Sequence, residues 1–279
     1  MVLRIFQISD IHIGGEYGGK FDCWGNFEKT VNEIVTRYAN FGHRNMALFG
    51  DIFPQSILVL SGDICDRDTD SATVENYKKI KDFIDSKMFF SHILAIPGNH
   101  DDPAALSEVF GGNPENCRSL ISDYANLVFI PTYSGTVNTE AVTGDIVTWL
   151  SGLPDDMKNR QTLVFSHYPV GPLHHRFMSG KYSLKNGEDL AKALEYIGVT
   201  DTFCGHYHSG GSYSVNPRYR IHVSPSTQMQ LNPYSKSCDT VADYPGYQVI
   251  ELLDEHRIKV KQEYLDGSDE PKHMDTEKL

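Results

Sequence analysis

The sequence predicts an α/β fold, and three features predict it: short apolar runs that stop abruptly, helical periodicity between them, and polar side chains gathered just past the ends of the runs. Residues 2–8 run into Ser9-Asp10-Ile11-His12, and residues 57–60 into Ser61-Gly62-Asp63. Residues 93–96 run into Pro97-Gly98-Asn99-His100, residues 163–165 into Ser166-His167, and residues 202–204 into Gly205-His206-Tyr207-His208. Runs of this length followed by turn formers read as strands, and their near-continuous apolarity suits strands covered on both faces. Between them, residues 27–39 place Phe27, Val31, Ile34 and Val35 on a helical stripe, and residues 74–84 do the same with Val74, Tyr77, Ile80, Phe83 and Ile84. Residues 189–197 carry Leu190, Ala193, Leu194 and Ile197, closed by Gly198 as the C′ residue. Residues 219–223, 247–253 and 258–264 read as closing strands, and residues 266–279 as a polar, disordered tail. Strands alternating with helices give sheets with helices outside, and ligands in such folds gather beyond the carboxyl ends of the strands. All five polar motifs fall there, which core packing alone does not explain.

With 279 residues and 40% hydrophobic content the chain can bury a large core. No internal repeat or change of composition marks a linker, so residues 1–265 are expected to form a single domain. The formal net charge of −12 argues against nucleic-acid polymers and anionic membranes as partners, because both select a basic face. It also repels an anionic substrate unless bound cations reverse the field locally. The five cysteines (Cys23, Cys65, Cys117, Cys204 and Cys238) are odd in number and lack a CxxC pair, so they read as reduced intracellular thiols. The N-terminal ten residues are too polar for a signal peptide, and no run approaches the roughly 20 apolar residues of a membrane span. A cytoplasmic location is expected, and homo-oligomerisation is left open.

Hydrolysis by a divalent metal calls for oxygen and imidazole ligands, with coordination positions left for water and substrate. The motifs offer oxygens from Asp10, Asp63 and Asn99 and imidazoles from His12, His167, His206 and His208, and no thiolate. Two metals about 3.5–4 Å apart need a carboxylate that touches both, and Asp63, in a tight Ser-Gly-Asp turn, is the natural bridge. Gly50-Asp51 competes for that role, but Asp63 follows a clean strand and precedes Asp66-Arg67, whereas Asp51 runs into Phe53-Pro54. Taken singly each motif is ordinary. A DxH or a Gly-Asp is usually turn chemistry, Asn99-His100-Asp101 reads as an Asx turn, and a lone His167 as a satisfied core histidine. All five in order, at one end of the strands, read as a metal centre. Cys65 and Cys204 are expected to be small buried hydrophobes. His174 and His175 read as surface loop histidines, with a substrate contact as the alternative, and Arg67 as either a phosphate contact or a surface ion pair.

The order Asp10-Ile-His12, Gly62-Asp63-Ile-Cys-Asp66, Gly98-Asn99-His100-Asp101, His167 and Gly205-His206-Tyr-His208 resembles the signature of the calcineurin-like metallophosphoesterases. The resemblance implies a four-layer α/β/β/α sandwich with two sheets face to face. It implies one metal on Asp10, His12, Asp63 and His208 and a second on Asp63, Asn99, His167 and His206, the ions being manganese, iron, zinc or cobalt. His100 is implied to be catalytic rather than a ligand, placed beside the phosphate and oriented by Asp66. Ser224-Pro-Ser-Thr227-Gln-Met-Gln230-Leu-Asn-Pro233-Tyr-Ser235, followed by Pro245-Gly-Tyr247, is similar to segments of the class III 3′,5′-cyclic nucleotide phosphodiesterases, the bacterial cyclic-AMP enzymes in particular. The likeness covers most of residues 2–265, with two departures. Residues 41–55 read as an insertion before the second strand, and residues 143–160 are short and broken by Gly152 and Pro154 where the family carries an amphipathic helix.

The expected reaction is therefore in-line hydrolysis of a small anionic phosphodiester, with 3′,5′-cyclic AMP opened to 5′-AMP as the leading substrate. A glycerophosphodiesterase, or another phosphomonoesterase or diesterase built on the same centre, is the alternative. A nuclease would carry a basic groove, against which the acidic balance speaks. A metal-free interaction scaffold, as in the retromer subunit that keeps this fold with a degraded site, is disfavoured by the intact ligand set. The segment 225–235 is expected to line the pocket, with Tyr207, His174 and Tyr182 as candidates for stacking on a base.

Overall fold

A computed structural model describes residues 3–15, 21–49, 55–112, 118–121, 125–132, 148–149, 152, 161–254 and 257–266. β1 (Leu3–Ile8) is the middle strand of a five-stranded sheet. On one side it runs parallel to β2 (Gln55–Ser61), which runs parallel to β3 (His92–Ile96). On the other it is antiparallel to β12 (Gly246–Asp254), which pairs antiparallel with β13 (Arg257–Tyr264). A second, six-stranded sheet holds β4 (Arg118–Ile121), β5 (Asn126–Ile130), β6 (Thr162–Ser166), β7 (Asp201–Cys204), β9 (Tyr219–Val223) and β8 (Gly211–Asn216) in that spatial order, with β5, β6, β7 and β9 parallel. β10 (Gln230–Leu231) and β11 (Thr240–Ala242) form a small antiparallel ribbon.

The doubly apolar strands are doubly buried. Leu3 and Ile5 of β1, Ile57 and Val59 of β2, Leu127 and Phe129 of β5, and Leu163 and Phe165 of β6 form one core between the sheets. The alternate residues, such as Phe6, Ile8, Leu58 and Leu60, face outward and pack against the helices. α1 (Cys23–Phe49) supplies Phe27, Val31 and Ile34 to that outer layer, α2 (Val74–Asp85) supplies Tyr77, Ile80 and Ile84, and α3 (Pro103–Phe110) supplies Leu106. On the far face of the second sheet, Leu190, Ala191 and Leu194 of α4 (Gly187–Tyr196) cover Val164, Ile221 and Val223. The layers are thus α/β/β/α, as the resemblance implied. α4 ends as expected: Gly198 has φ +90°, its N–H donates to Glu195 O and that of Val199 to Leu194 O, the reciprocal pair of a Schellman motif.

One polar feature crosses the inter-sheet core. The Gln7 side chain donates to Ser61 Oγ at 2.8 Å and to Cys204 O at 3.1 Å, while the Gln248 amide donates to Gln7 Oε1 and that of Gln262 to Gln248 Oε1, both at 2.8 Å. A buried amide is tolerable only when its partners are supplied, so this ladder pins β1 to β7 in one register near the carboxyl ends of both strands.

Three expectations change. The first helix extends from Cys23 to Phe49 rather than over 27–39. Polar Asn40, His43, Arg44 and Asn45 hide the apolar period there, but no proline stops the helix. It absorbs most of the supposed insertion at 41–55, of which residues 50–54 lie outside the described residues. β4, β5, β8, β10, β11 and α3 were not anticipated. The segment 143–160 and the tail after Asp266 lie almost wholly outside the described residues. Among the described residues, no helix is long and apolar enough to cross a membrane.

Candidate metal centre

The turns after β1, β2, β3, β6 and β7 bring all the anticipated ligands to one point. The Asp10 turn is tied to the Asp63 turn by backbone bonds from Asp10 N to Gly62 O (3.0 Å), Ile11 N to Asp63 O (2.8 Å) and His12 N to Asp63 O (2.9 Å). The third and fifth turns close on these two: His100 N donates to Asp63 Oδ1 at 2.8 Å, and His206 N to Asp10 Oδ1 at 3.0 Å. The geometry is strained. Among the described non-glycine residues, seven have positive φ, and five of them are Asp10, His12, Asp63, His206 and His208. Left-handed backbone at such residues persists only where the surroundings enforce it, and it gathers at functional sites. Gly62, at φ +95°, could carry no side chain, because a Cβ there would run into the His167 ring.

Asp10, His12 and His208 offer donor atoms within 4.8 Å of one another, and so do Asp63, His167 and His206. In the first group His12 Nε2 faces His208 Nε2 at 3.3 Å, and Asp10 Oδ1 lies 3.3 Å from His208 Nε2. Donors held at roughly 2.0–2.1 Å from one ion lie about 2.8–3.4 Å apart in octahedral or tetrahedral coordination, so both of these separations have the edge length of a coordination sphere. In the second, Asp63 Oδ2 is 3.1 Å from His167 Nε2, and Asn99 Oδ1 is 3.2 Å from the same nitrogen. Asp63 Oδ2 also lies 3.9 Å from His12 Nε2, which puts this carboxylate between the two groups. The competing Asp51 lies outside the described residues.

The outer contacts choose which nitrogen faces inward. His167 donates from Nδ1 to Ser61 O at 2.8 Å, leaving Nε2 toward Asp63 and Asn99. His206 donates from Nε2 to Tyr182 O at 2.8 Å, leaving Nδ1 for the interior, and the Tyr168 ring lies against it at 3.9 Å between centroids. A histidine whose second nitrogen is fixed by a carbonyl is the usual arrangement of a metal-bound imidazole.

The charges fit a cation. Asp10 and Asp63 are 0% and 2% exposed, and among the described residues their ion-pair partners are all histidines. Burial pushes the Asp63 carboxyl up, yet the surrounding His167, His100 and His12 hold it well below the carboxylate range. Burial drives His12 down to about 3, and burial with the neighbouring His167 charge drives His206 down to about 3, so both keep free lone pairs at neutral pH. His167 is held up to about 9, burial being outweighed by the Asp63 carboxylate. The arrangement is two buried anions beside two neutral imidazoles, His12 and His206, with histidines rather than lysine or arginine as their ion-pair partners among the described residues. Such a set is costly unless a cation sits among it.

His100 stands at the rim, in a cavity of about 200 Å³ that His12, Asp63, Asn99, His206 and His208 also line. Burial alone would lower its pKa, but Asp63 and then Asp66 hold it up to about 9. Asp66 Oδ2 is 3.6 Å from His100 Nδ1, an ion-pair contact too long for a hydrogen bond. Asp66 is also the cap of a short 3₁₀ turn, accepting from Asp68 N at 2.9 Å. Arg67 lines the cavity and also lies 3.8 Å from Asp68 Oδ1, so the phosphate-contact and ion-pair readings both stand.

Several contributors were not foreseen. Asp101, fully buried, accepts from Ile64 N (3.0 Å), Cys65 N (2.9 Å), Gly98 N (2.9 Å) and Tyr77 Oη (2.8 Å), and so locks the Asp63 and Asn99 turns together. Its place as the last letter of Gly98-Asn99-His100-Asp101 was the one available signal. The 225–235 segment does less lining and more bracing than expected. Ser226 Oγ and Thr227 Oγ1 donate to Asp10 O at 3.0 and 3.3 Å, and the Gln228 amide donates to Ile11 O at 2.8 Å. Only Met229 and Leu231 of that segment reach the cavity. Of the stacking candidates, Tyr182 lines the cavity, Tyr207 is buried against His175 and His206 behind it, and His174 is exposed outside it. His175 is not a surface residue: it is 2% exposed, and its Nδ1 accepts from Met178 N at 3.2 Å. Cys65 and Cys204 are buried thiols, as expected.

Residues 3–210 match the calcineurin-like phosphoesterase family. The chain belongs to that family. This calcineurin-like phosphoesterase is 30% identical over 239 residues to a probable cyclic nucleotide phosphodiesterase of Fibrobacter succinogenes, covering 83% of this chain and 82% of the relative. It is 31% identical over 161 residues to the glycerophosphodiester phosphodiesterase GpdQ of Enterobacter lignolyticus, covering 54% of this chain and 55% of that one. A dimetal phosphatase from Danio rerio shares the fold, with a TM-score of 0.58 at 13% identity over 94% of this chain and 98% of that one. The protein is a metal-dependent phosphoric ester hydrolase.

Proposed function

We propose that the protein is a dinuclear-metal phosphodiesterase that opens 3′,5′-cyclic AMP to 5′-AMP, with residues 1–265 acting as one catalytic domain. The observation that carries the metal half is the position of Asp63 Oδ2, within 3.9 Å of both His12 and His167. In this reading Asp10, His12, Asp63 and His208 hold one ion, and Asp63, Asn99, His167 and His206 the other. The substrate half is supported by the Fibrobacter relative named as a probable cyclic nucleotide phosphodiesterase, similar over most of both chains.

Two bound divalent ions supply positive charge to the phosphoryl oxygens and lower the pKa of water toward about 7. The chain does the rest. Its turns hold the ester so that water meets phosphorus opposite the departing oxygen, forming a new P–O bond as the P–O3′ bond breaks. His100, outside both ligand groups and facing the cavity, donates to the phosphoryl group and returns a proton to the departing 3′ alkoxide. Asp63 and Asp66 keep that imidazole protonated and aimed. The product is the 5′-monophosphate with a free 3′-hydroxyl.

The test is kcat/KM for 3′,5′-cyclic AMP, 2′,3′-cyclic AMP, glycerophosphoethanolamine and bis-p-nitrophenyl phosphate under one manganese condition. The reading requires 3′,5′-cyclic AMP to be hydrolysed at least as well as the acyclic diesters. A clear preference for glycerophosphoethanolamine would replace it with the glycerophosphodiesterase reading, which the Enterobacter relative supports over about half of each chain.

A further inference from the structure

Between His167 and α4 the chain makes a compact loop whose side chains belong to neither donor group around Asp10 or His167. Tyr182 N donates to Met178 O at 3.1 Å, Ser179 N to His175 O at 2.8 Å, and Arg176 N to Pro233 O at 2.9 Å, so the loop is braced both within itself and against the turn after β10. Its carbonyl at Tyr182 already holds His206. Its side chains form one wall of the cavity: Phe177 and Tyr182, with ring centroids 5.4 Å apart and planes 41° to one another, and the thioether of Met178. A second segment adds Met229 and Leu231, both nearly fully buried. Lys181 of this loop also lines the cavity, its Nζ 3.0 Å from Tyr182 Oη and 4.8 Å from the ring centroid.

We propose that this wall is a subsite for a planar aromatic group carried by the phosphoester, of nucleobase class, held against Tyr182 and Phe177 over a floor of Met229 and Leu231. The proposal deepens the phosphodiesterase reading and rests on it only for the phosphate end of the cavity. Glycerol and ethanolamine bring hydroxyl and ammonium groups that need polar partners, and this wall supplies chiefly the Tyr182 hydroxyl and the Lys181 ammonium, the latter repelling a second ammonium. A flat aromatic ring covers it and gains stacking and sulfur–aromatic contact. Because the loop also holds His206 by its carbonyl, the aromatic group is registered directly against the phosphate position. Side-chain substitution at 177 or 182 leaves that carbonyl in place.

The experiment compares equilibrium binding of 5′-AMP and ribose 5-phosphate to the manganese-loaded protein by titration calorimetry. The two ligands share phosphate and ribose and differ in the base alone. Base–aromatic stacking predicts 5′-AMP tighter by roughly ten-fold or more, with each of Phe177→Ala and Tyr182→Ala cutting that ratio about five-fold or more. Tyr182→Phe, which keeps the ring, should keep the ratio. Equal affinity of the two ligands for the unaltered protein overturns the subsite, as does a ratio that survives both alanine changes. Binding needs no turnover, so a protein that fails to hydrolyse cyclic AMP loses the cyclic-nucleotide reading while the subsite still stands or falls on its own ratio.

Discussion

At the scale of single residues, Asp63, His100 and Asp101 lie within one small volume and have separable roles. Asp63 is placed between both donor groups, so Asp63→Ala is expected to bind neither ion and to lose activity; two metals per chain by elemental analysis of that variant would return the bridging role to another carboxylate. His100 lines the cavity and stands outside the donor groups around Asp10 and His167, although it also converges with His12 and Asp63 and with Asp66 and Asp68. His100→Ala should therefore keep its metals and lose roughly 10²–10⁴-fold in turnover, the worth of a positioned acid, and metal loss in it would make His100 a ligand. Asp101 belongs to none of the converging donor groups and does not line the cavity. Asp101→Ala strands three backbone N–H groups and the Tyr77 hydroxyl, all buried, at a cost of at least about 3 kcal/mol. Its urea midpoint should fall, and its metal affinity should weaken about 10–100-fold, as when outer support is removed. An unchanged midpoint would mean that water replaces the carboxylate.

At the scale of elements, the join between β7, β8 and β9 has its own electrostatics. Asp201 on β7 accepts from His222 on β9 at 2.8 Å, from Arg220 Nη2 at 3.1 Å and from Thr200 at 2.7 Å, and the other His222 nitrogen meets Ser212 Oγ on β8 at 2.7 Å. Burial pushes the Asp201 carboxyl up, but the bonds from His222, Thr200 and Arg220 win and hold it below its ordinary 3.8. A carboxyl depressed on folding contributes stability above its unfolded pKa, and that contribution is lost as pH falls through the folded one. Urea midpoints should therefore drop on acidification below about pH 4, the unfolded carboxyl range. Asp201→Asn should flatten part of that drop. An identical acid slope in the variant would remove Asp201 from the account.

For the molecule as a whole, the net charge of −12 and the buried Asp10 and Asp63 make cation binding a matter of stability as well as catalysis. A ligand bound to the folded chain alone at 100 times its dissociation constant adds about 2.7 kcal/mol, which for a domain of this size is a rise in Tm of roughly 5–10 °C. Manganese added to chelator-treated protein should raise the midpoint in a concentration-dependent way, and Asp63→Ala should lose most of that response. A melting curve indifferent to both chelator and manganese would separate the buried carboxylates from any cation.

The sequence by itself determined the strands that carry the motifs, because burial on both faces makes their apolarity continuous and turn residues mark their ends; β1, β2, β3, β6 and β7 differ from expectation by a residue or two. It also determined which side chains stand past those ends. β5 escaped notice, although as apolar as the others, because no motif follows it, and α3 because eight residues carry too little helical period. What only the tertiary structure decided is what surrounds the ligands: Asp101 under two turns, Ser226 and Gln228 behind Asp10, the Tyr182 carbonyl on His206, and the buried position of His175 and Tyr207. Periodicity and turn chemistry are local, and each is legible within a dozen residues. These supporting contacts join residues up to 217 apart in the chain, and they exist only once two sheets have packed in one register.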